Sequence, residues 1–104
     1  MFYVYILKSE VQKGAIYIGQ AVDLKKRLVE HNSKQSTYSK KYAPWSLETY
    51  LAFTELSDAK RFETYLKSNS GKAFMRKRLI TKEFREAVSE FNNGRKVKRS
   101  VSEV

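Results

Sequence analysis

The chain has 104 residues, 41% of them apolar and 13% aromatic, which is room for one domain with one modest core and too apolar for global disorder. It has no cysteine, so a disulfide framework and a thiolate metal site are excluded. Twenty-one Lys and Arg against eleven Asp and Glu leave a net charge of +10, which favours a polyanionic partner, nucleic acid above acidic membranes or proteins. No stretch approaches the roughly 18 apolar residues of a membrane helix. The opening MFYVYILKSEVQKG lacks a basic leader, and its apolar run is too short for a secretory signal, so a soluble cytoplasmic protein is expected.

In chain order, Phe2 to Leu7 is rich in β-branched and aromatic residues and reads as a buried strand. A polar stretch ending at Gly14 separates it from a second apolar run, Ala15 to Gly19, and the two read as an antiparallel hairpin. Asp23 is placed to cap a helix from Leu24 to about Lys34, with Leu24 and Leu28 as its buried stripe. Ser36 to Pro44 reads as a basic loop or short helix. Trp45, Leu47, Thr49, Leu51 and Phe53 alternate as in a third strand. Ser57 reads as the cap of a helix carrying Ala59, Phe62 and Leu66, which Asn69-Ser70-Gly71 breaks. Ala73 to Ile80 reads as a basic helix. Thr81 caps a last one with Phe84, Ala87, Val88 and Phe91, stopped at Asn93-Gly94. The order is β-β-α-β-α-α-α: an α/β (α+β) domain, 1–94, in which helices cover a small sheet, followed by a basic disordered tail, 95–104.

Several residues stand out chemically. Arg27 and His31 lie four apart and share a helix face that starts beside Tyr17. An arginine fork can donate two hydrogen bonds to phosphate and stabilise charge growing in a transition state, although Arg27 also belongs to a Lys25-Lys26-Arg27 surface run. Glu63 borders the apolar stripe of its helix and needs a partner, either a divalent cation or a neighbouring Lys or Arg. Tyrosines on strands ordinarily pack, and Tyr3 is read so. Gly19 ends a strand where the missing side chain permits close backbone approach to a phosphate. Lys25, Lys26, Lys34, Lys40, Lys41, Lys72, Arg76, Lys77 and Arg78 are candidate phosphate contacts. Tyr38, Tyr42 and Trp45 either stack on unpaired bases or, as is commoner, pack their loop on the sheet.

The ordered set is more specific than any of its parts. Tyr3-Val4-Tyr5, eleven residues, Tyr17-Ile18-Gly19, then QAVDLKKRLVEHN, DAKRFETYLKS and SGKAFMRKRL resemble the GIY-YIG nucleases over roughly Phe2 to Leu79. The resemblance implies a small three-stranded antiparallel sheet flanked by helices. It implies Tyr17 as general base or positioner of the attacking water, with Tyr5 assisting. A free phenol titrates near 10, so Tyr17 would act as base only with its pKa lowered by Arg27 and a metal. It implies Arg27 on the scissile phosphate, His31 as proton relay or phosphate ligand, and Glu63 as carrier of a single Mg²⁺ or Mn²⁺. The implied function is a metal-dependent, structure-directed DNA endonuclease in repair or processing. The alternative is a module of the same fold that binds DNA or RNA and cuts weakly or not at all. It is favoured by the lack of a separate targeting domain, a task that would fall to a protein partner. It is also favoured by Gln20, where some relatives carry Lys. Asn69 stands too close to Glu63 to take the place of a family asparagine.

Overall fold

The computed structural model describes the backbone of residues 1–33 and 37–102 and the side chains of residues 1–33 and 40–93. Lys34 and the side chain of Tyr38 therefore lie outside the described residues. The elements are β1 (Phe2–Ser9), β2 (Ile16–Ala21), α1 (Leu24–Asn32), α2 (Thr37–Tyr42), β3 (Trp45–Phe53), α3 (Leu56–Leu66), α4 (Asn69–Arg78) and α5 (Lys82–Ser102). The sheet is antiparallel in the order β2-β1-β3, so the central strand is the most apolar one and β2 has a single sheet neighbour. No described helix is long and apolar enough to cross a membrane.

The pleat divides β1 between two cores. Val4 and Ile6 point to one face, where Ala59 and Leu66 of α3, Met75 of α4 and Phe84 and Val88 of α5 bury them. Tyr5 and Leu7 point to the other, with Ala21 and Trp45, under Leu24 and Leu28 of α1 and Tyr42 of α2. The sheet is thus the middle of three layers. The third strand departs from simple alternation. Its register shifts between Ile6 and Leu7, which pair with Thr49 and Leu47 and leave Glu48 as the extra residue. The shift puts Trp45 on the α1 side and Phe53 on the α3 side, so the stripe read as one face is two. The Glu48 carboxylate accepts from the Thr81 N–H at 2.9 Å and pairs with Lys8 at 3.6 Å, tying the start of α5 to the sheet.

Helix ends follow capping chemistry, not always at the expected residue. Asp23 accepts from the Lys26 N–H at 3.0 Å and caps α1, and Thr81 accepts from Phe84 at 3.2 Å. Ser57 is not a cap: α3 begins at Leu56, after Glu55, whose side chain makes no capping bond. Asn69-Ser70-Gly71 do not break a helix but form the first turn of α4, because Ser68 accepts from the Gly71 N–H at 3.1 Å. Gly71 is there for proximity, since a Cβ would strike the Tyr65 carbonyl across the α3–α4 corner. Nor does Gly94 stop α5, whose backbone stays helical to Ser102. One interior glycine costs only about 1 kcal/mol, and the Arg and Lys that follow are good helix formers. Gly14 does serve the turn, at φ +88°, and also abuts Ala87 and Phe91.

Candidate active site

β1, β2 and α1 assemble an aromatic cluster on one face of the sheet. Tyr5, Tyr17 and Gly19 share that face by strand alternation, and Gly19 stands directly across from Tyr5. The Tyr5 and Tyr17 rings stack at 6.3 Å between centroids, 16° from parallel. His31 arrives from the last turn of α1, one helical step beyond Leu28. It is 6% exposed, its ring centroid is 4.4 Å from that of Tyr17, and its Nε2 is 2.9 Å from the Tyr5 hydroxyl. Trp45 closes the far side, 6.1 Å from Tyr17 and 6.5 Å from Tyr42.

Tyr5 is 1% exposed. Burial, then the charge of an ionised Tyr17, pushes its phenol well above the ordinary value near 10; Glu63 acts in the same direction, while Arg27 opposes both by charge and hydrogen bond. His31 is held below its ordinary 6.5 by burial and then by Arg27, with Glu30 pulling the other way. Both groups are therefore neutral near pH 7. The electrostatic neighbours also locate the site: Tyr17, Arg27 and Glu63 all act on one hydroxyl. Of the five residues singled out in the sequence, Tyr5, Tyr17 and His31 are in ring contact, whereas Arg27 and Glu63 act on Tyr5 through their charge from the two helical layers.

The two charged members are each held by their own helix. The Arg27 Nε lies 3.1 Å from Glu30, one turn on, and the Lys67 Nζ lies 2.8 Å from Glu63, also one turn on. Glu63 thus has the lysine partner that was one of its two readings, but a local one. The Glu63 side chain is 25% exposed and that of Lys67 is 54% exposed. Among the described residues, no group of three or more His, Cys, Asp or Glu could hold a metal. The donor set at Glu63 is a single carboxylate bound to a flexible ammonium. It does not fit a closed metal cage. It does fit a hard cation that completes its shell with water and phosphate oxygens.

Other expectations divide. Gly19 does not leave open space for a phosphate: the Tyr5 ring covers it, and a Cβ would lie 2.6 Å from Tyr5 Cζ. Tyr3 packs edge-on against Tyr50 at 5.8 Å, as read. Trp45 is buried and Tyr42 packs against it, so neither offers a free face for a base. Lys25, Lys26, Lys40 and Lys41 are exposed on the α1–α2 layer, whereas Lys72 and Lys77 are exposed and Arg76 half-buried on α4 in the opposite layer. The candidate cations thus flank the sheet instead of forming one patch.

Sequence reading missed Glu30, Lys67 and Asn32. The first two carried a signal, an acid and a base one turn apart on a helix. Asn32 carried none. Its amide donates to the Trp45 carbonyl at 3.1 Å while its oxygen accepts from the Trp45 N–H at 2.5 Å, a two-point tie from the end of α1 to the start of β3.

A search of curated proteins returns no match. A family model described as the GIY-YIG catalytic domain matches residues 1–78. That span runs from β1 through α4 and contains every member of the cluster. With three-quarters of its length matched and its three-stranded antiparallel sheet flanked by helices, the chain belongs to the GIY-YIG catalytic-domain family, a domain of nuclease type.

Proposed function

We propose that this protein is a divalent-metal-dependent endonuclease that hydrolyses phosphodiester bonds of DNA, directed by the structure of its substrate, in repair or processing. The observation that carries the reading is the packed Tyr5–Tyr17–His31 cluster on one face of the sheet, with its Tyr5 hydroxyl bonded to His31.

The residues divide the work by their environments. A phenol held above its ordinary pKa is a poor base, so Tyr5 keeps its proton. The Tyr5 hydroxyl and His31 Nε2 lie 2.9 Å apart, so the two neutral groups share one hydrogen bond and hold each other in place. Tyr17, half-buried on the outer strand, is the phenol left to orient the attacking water. Water attacks phosphorus in line and the bond to the 3′-oxygen breaks as the new one forms; water gives up a proton to solvent, the 3′-oxygen takes one from solvent, and Arg27 holds the non-bridging oxygens as their charge rises. Glu63 is the residue to hold Mg²⁺ or Mn²⁺, which supplies Lewis-acid neutralisation of the phosphate when bound. Arg27 and Glu63 must first leave Glu30 and Lys67, which exposed pairs of this kind, worth about 0.3–0.5 kcal/mol each, permit.

The test is purified protein on a panel of nicked, flapped, forked and single-stranded DNA and matching RNA, with Mg²⁺ or Mn²⁺. Cleavage of a branched DNA that requires metal and is lost in Glu63→Ala and Arg27→Ala is expected. Equal traces of cleavage in all three proteins would refute the enzyme. Binding without cleavage would favour the second reading, a nucleic-acid-binding module, which the uncharged Gln20 and the paired Glu63 carboxylate support.

A further inference from the structure

Lys67 has no part in the sequence reading, yet it occupies a distinctive position. It leaves the end of α3 and, with Ile16, Tyr17 and Ile18, lines a shallow depression along β2. That depression lies between Tyr17 on one face of the strand and the Glu63–Lys67 pair on the other. Alternation puts Ile16, Ile18 and Gln20 on the face of β2 that packs under α3. Position 20 and Lys67 therefore serve the same side of the edge strand, and only one of them carries charge.

We propose that Lys67 is a second phosphate-binding cation of the site, parked on Glu63 until substrate arrives. The proposal rests on the nuclease reading for the identity of the ligand. Three observations support it. The ammonium is half-exposed, so it can turn outward without leaving a charge buried. Its partner is the carboxylate beside the reacting centre, so releasing Lys67 also frees Glu63. Arg27 is parked in the same way on Glu30, so both cations adjoin the cluster while each is neutralised by its own helix. A phosphate at the β2 edge would receive Arg27 from the α1 layer and Lys67 from the α3 layer.

The experiment is fluorescence anisotropy of a labelled forked DNA in EDTA, so that nothing is cut, titrated between 50 and 200 mM salt. Wild type is compared with Lys67→Met, Lys67→Met with Gln20→Lys, Arg27→Ala, and Lys82→Met, a charge-loss control at the start of α5. Losing one duplex phosphate contact should flatten the slope of log affinity against log salt by about 0.9. The expected result is that flattening in Lys67→Met, its recovery when Gln20→Lys restores a cation on the same face, and a smaller effect of Lys82→Met. Circular dichroism confirms that the variants fold, and Lys67→Gln replaces Lys67→Met if that one does not. A wild-type slope in the Lys67 variants, or a change matched by Lys82→Met, overturns the role of Lys67 while a flattened Arg27→Ala leaves the nuclease reading standing. Absence of DNA binding by the wild type would overturn both.

Discussion

Substituting Gly19 by Ala separates two accounts of this glycine. If Gly19 exists so that a phosphate can approach the backbone, the substitution removes DNA binding and leaves stability alone. In the structure it is the Tyr5 ring that fills the space. The added Cβ would sit 2.6 Å from Tyr5 Cζ and 3.1 Å from Cε2, where carbon contacts settle at about 3.5–4.0 Å. The ring must move by about 1 Å, and it cannot do so freely: it is buried, stacked on Tyr17, and bonded to His31. Overpacking a core costs about 1–3 kcal/mol, and separating a buried hydroxyl from its imidazole about 1–3 kcal/mol more. A loss of about 2–6 kcal/mol is expected. For a domain of this size that lowers the melting temperature by at least about 10 °C, followed by circular dichroism. In a Tyr5→Leu background the ring is gone and Gly19→Ala should be nearly neutral, so the double-mutant cycle reads the clash itself. A Gly19→Ala protein that melts within about 2 °C of wild type but no longer binds DNA would refute the packing account.

Four further outcomes are expected. Because the folded His31 pKa lies below its unfolded value, the unfolded chain binds more protons as pH falls below about 6.5; urea midpoints should decline from there downward, and His31→Phe should flatten that decline. Tyr5 has the opposite sign: its raised pKa stabilises the fold fully below about 10 and is lost as pH rises above it, a loss that Tyr5→Phe removes. Asn32→Ala leaves both backbone groups of Trp45 without their partner and should cost about 1–3 kcal/mol, with a red shift in the emission of the sole tryptophan. Lys67→Met removes the ammonium that competes for Glu63 and should tighten Mn²⁺ binding about twofold by electron paramagnetic resonance, the equivalent of a pair worth ~0.3–0.5 kcal/mol, whereas Glu63→Gln abolishes it.

What the sequence made legible follows the range of the interaction. Asp23 and Thr81 could be read as caps because a cap acts within three residues. Arg27 and His31 could be read as neighbours because helix geometry alone puts them there. Gly71 was misread for the converse reason: its neighbour is the Tyr65 carbonyl across a helix corner, so a packing glycine looks like a breaker. The bulge at Glu48 is equally invisible, since the extra residue exists only relative to β1, and without it Trp45 would be assigned the wrong face. Asn32 is the extreme case, an unremarkable polar residue at a helix end that finds both of its partners thirteen residues away. Glu63 lay between these limits: its need for a partner was legible, but the choice of Lys67 depended on the rotamers at the end of α3.

The topology also bears on the site proposed at β2. Tyr17 projects from one face of this strand and Glu63 approaches from the helix layer on the other, so no point inside the sandwich is open to both. They can share a ligand only by reaching around the strand's outer edge. A fourth strand paired to β2 would close that edge, and a bulky residue in place of Gly19 would displace Tyr5 from beneath Tyr17. The sheet order β2-β1-β3 meets both requirements: it keeps the tyrosine hairpin together and leaves its second strand outermost. Edge strands are ordinarily a liability because their unpaired backbone invites other strands. Here Lys67 lies beside the edge strand, a charge that suits a phosphate backbone and discourages a neighbouring strand. On the proposed reading the open edge of β2 and the paired cations belong together, because a polyanion at this edge could meet side chains of both helical layers.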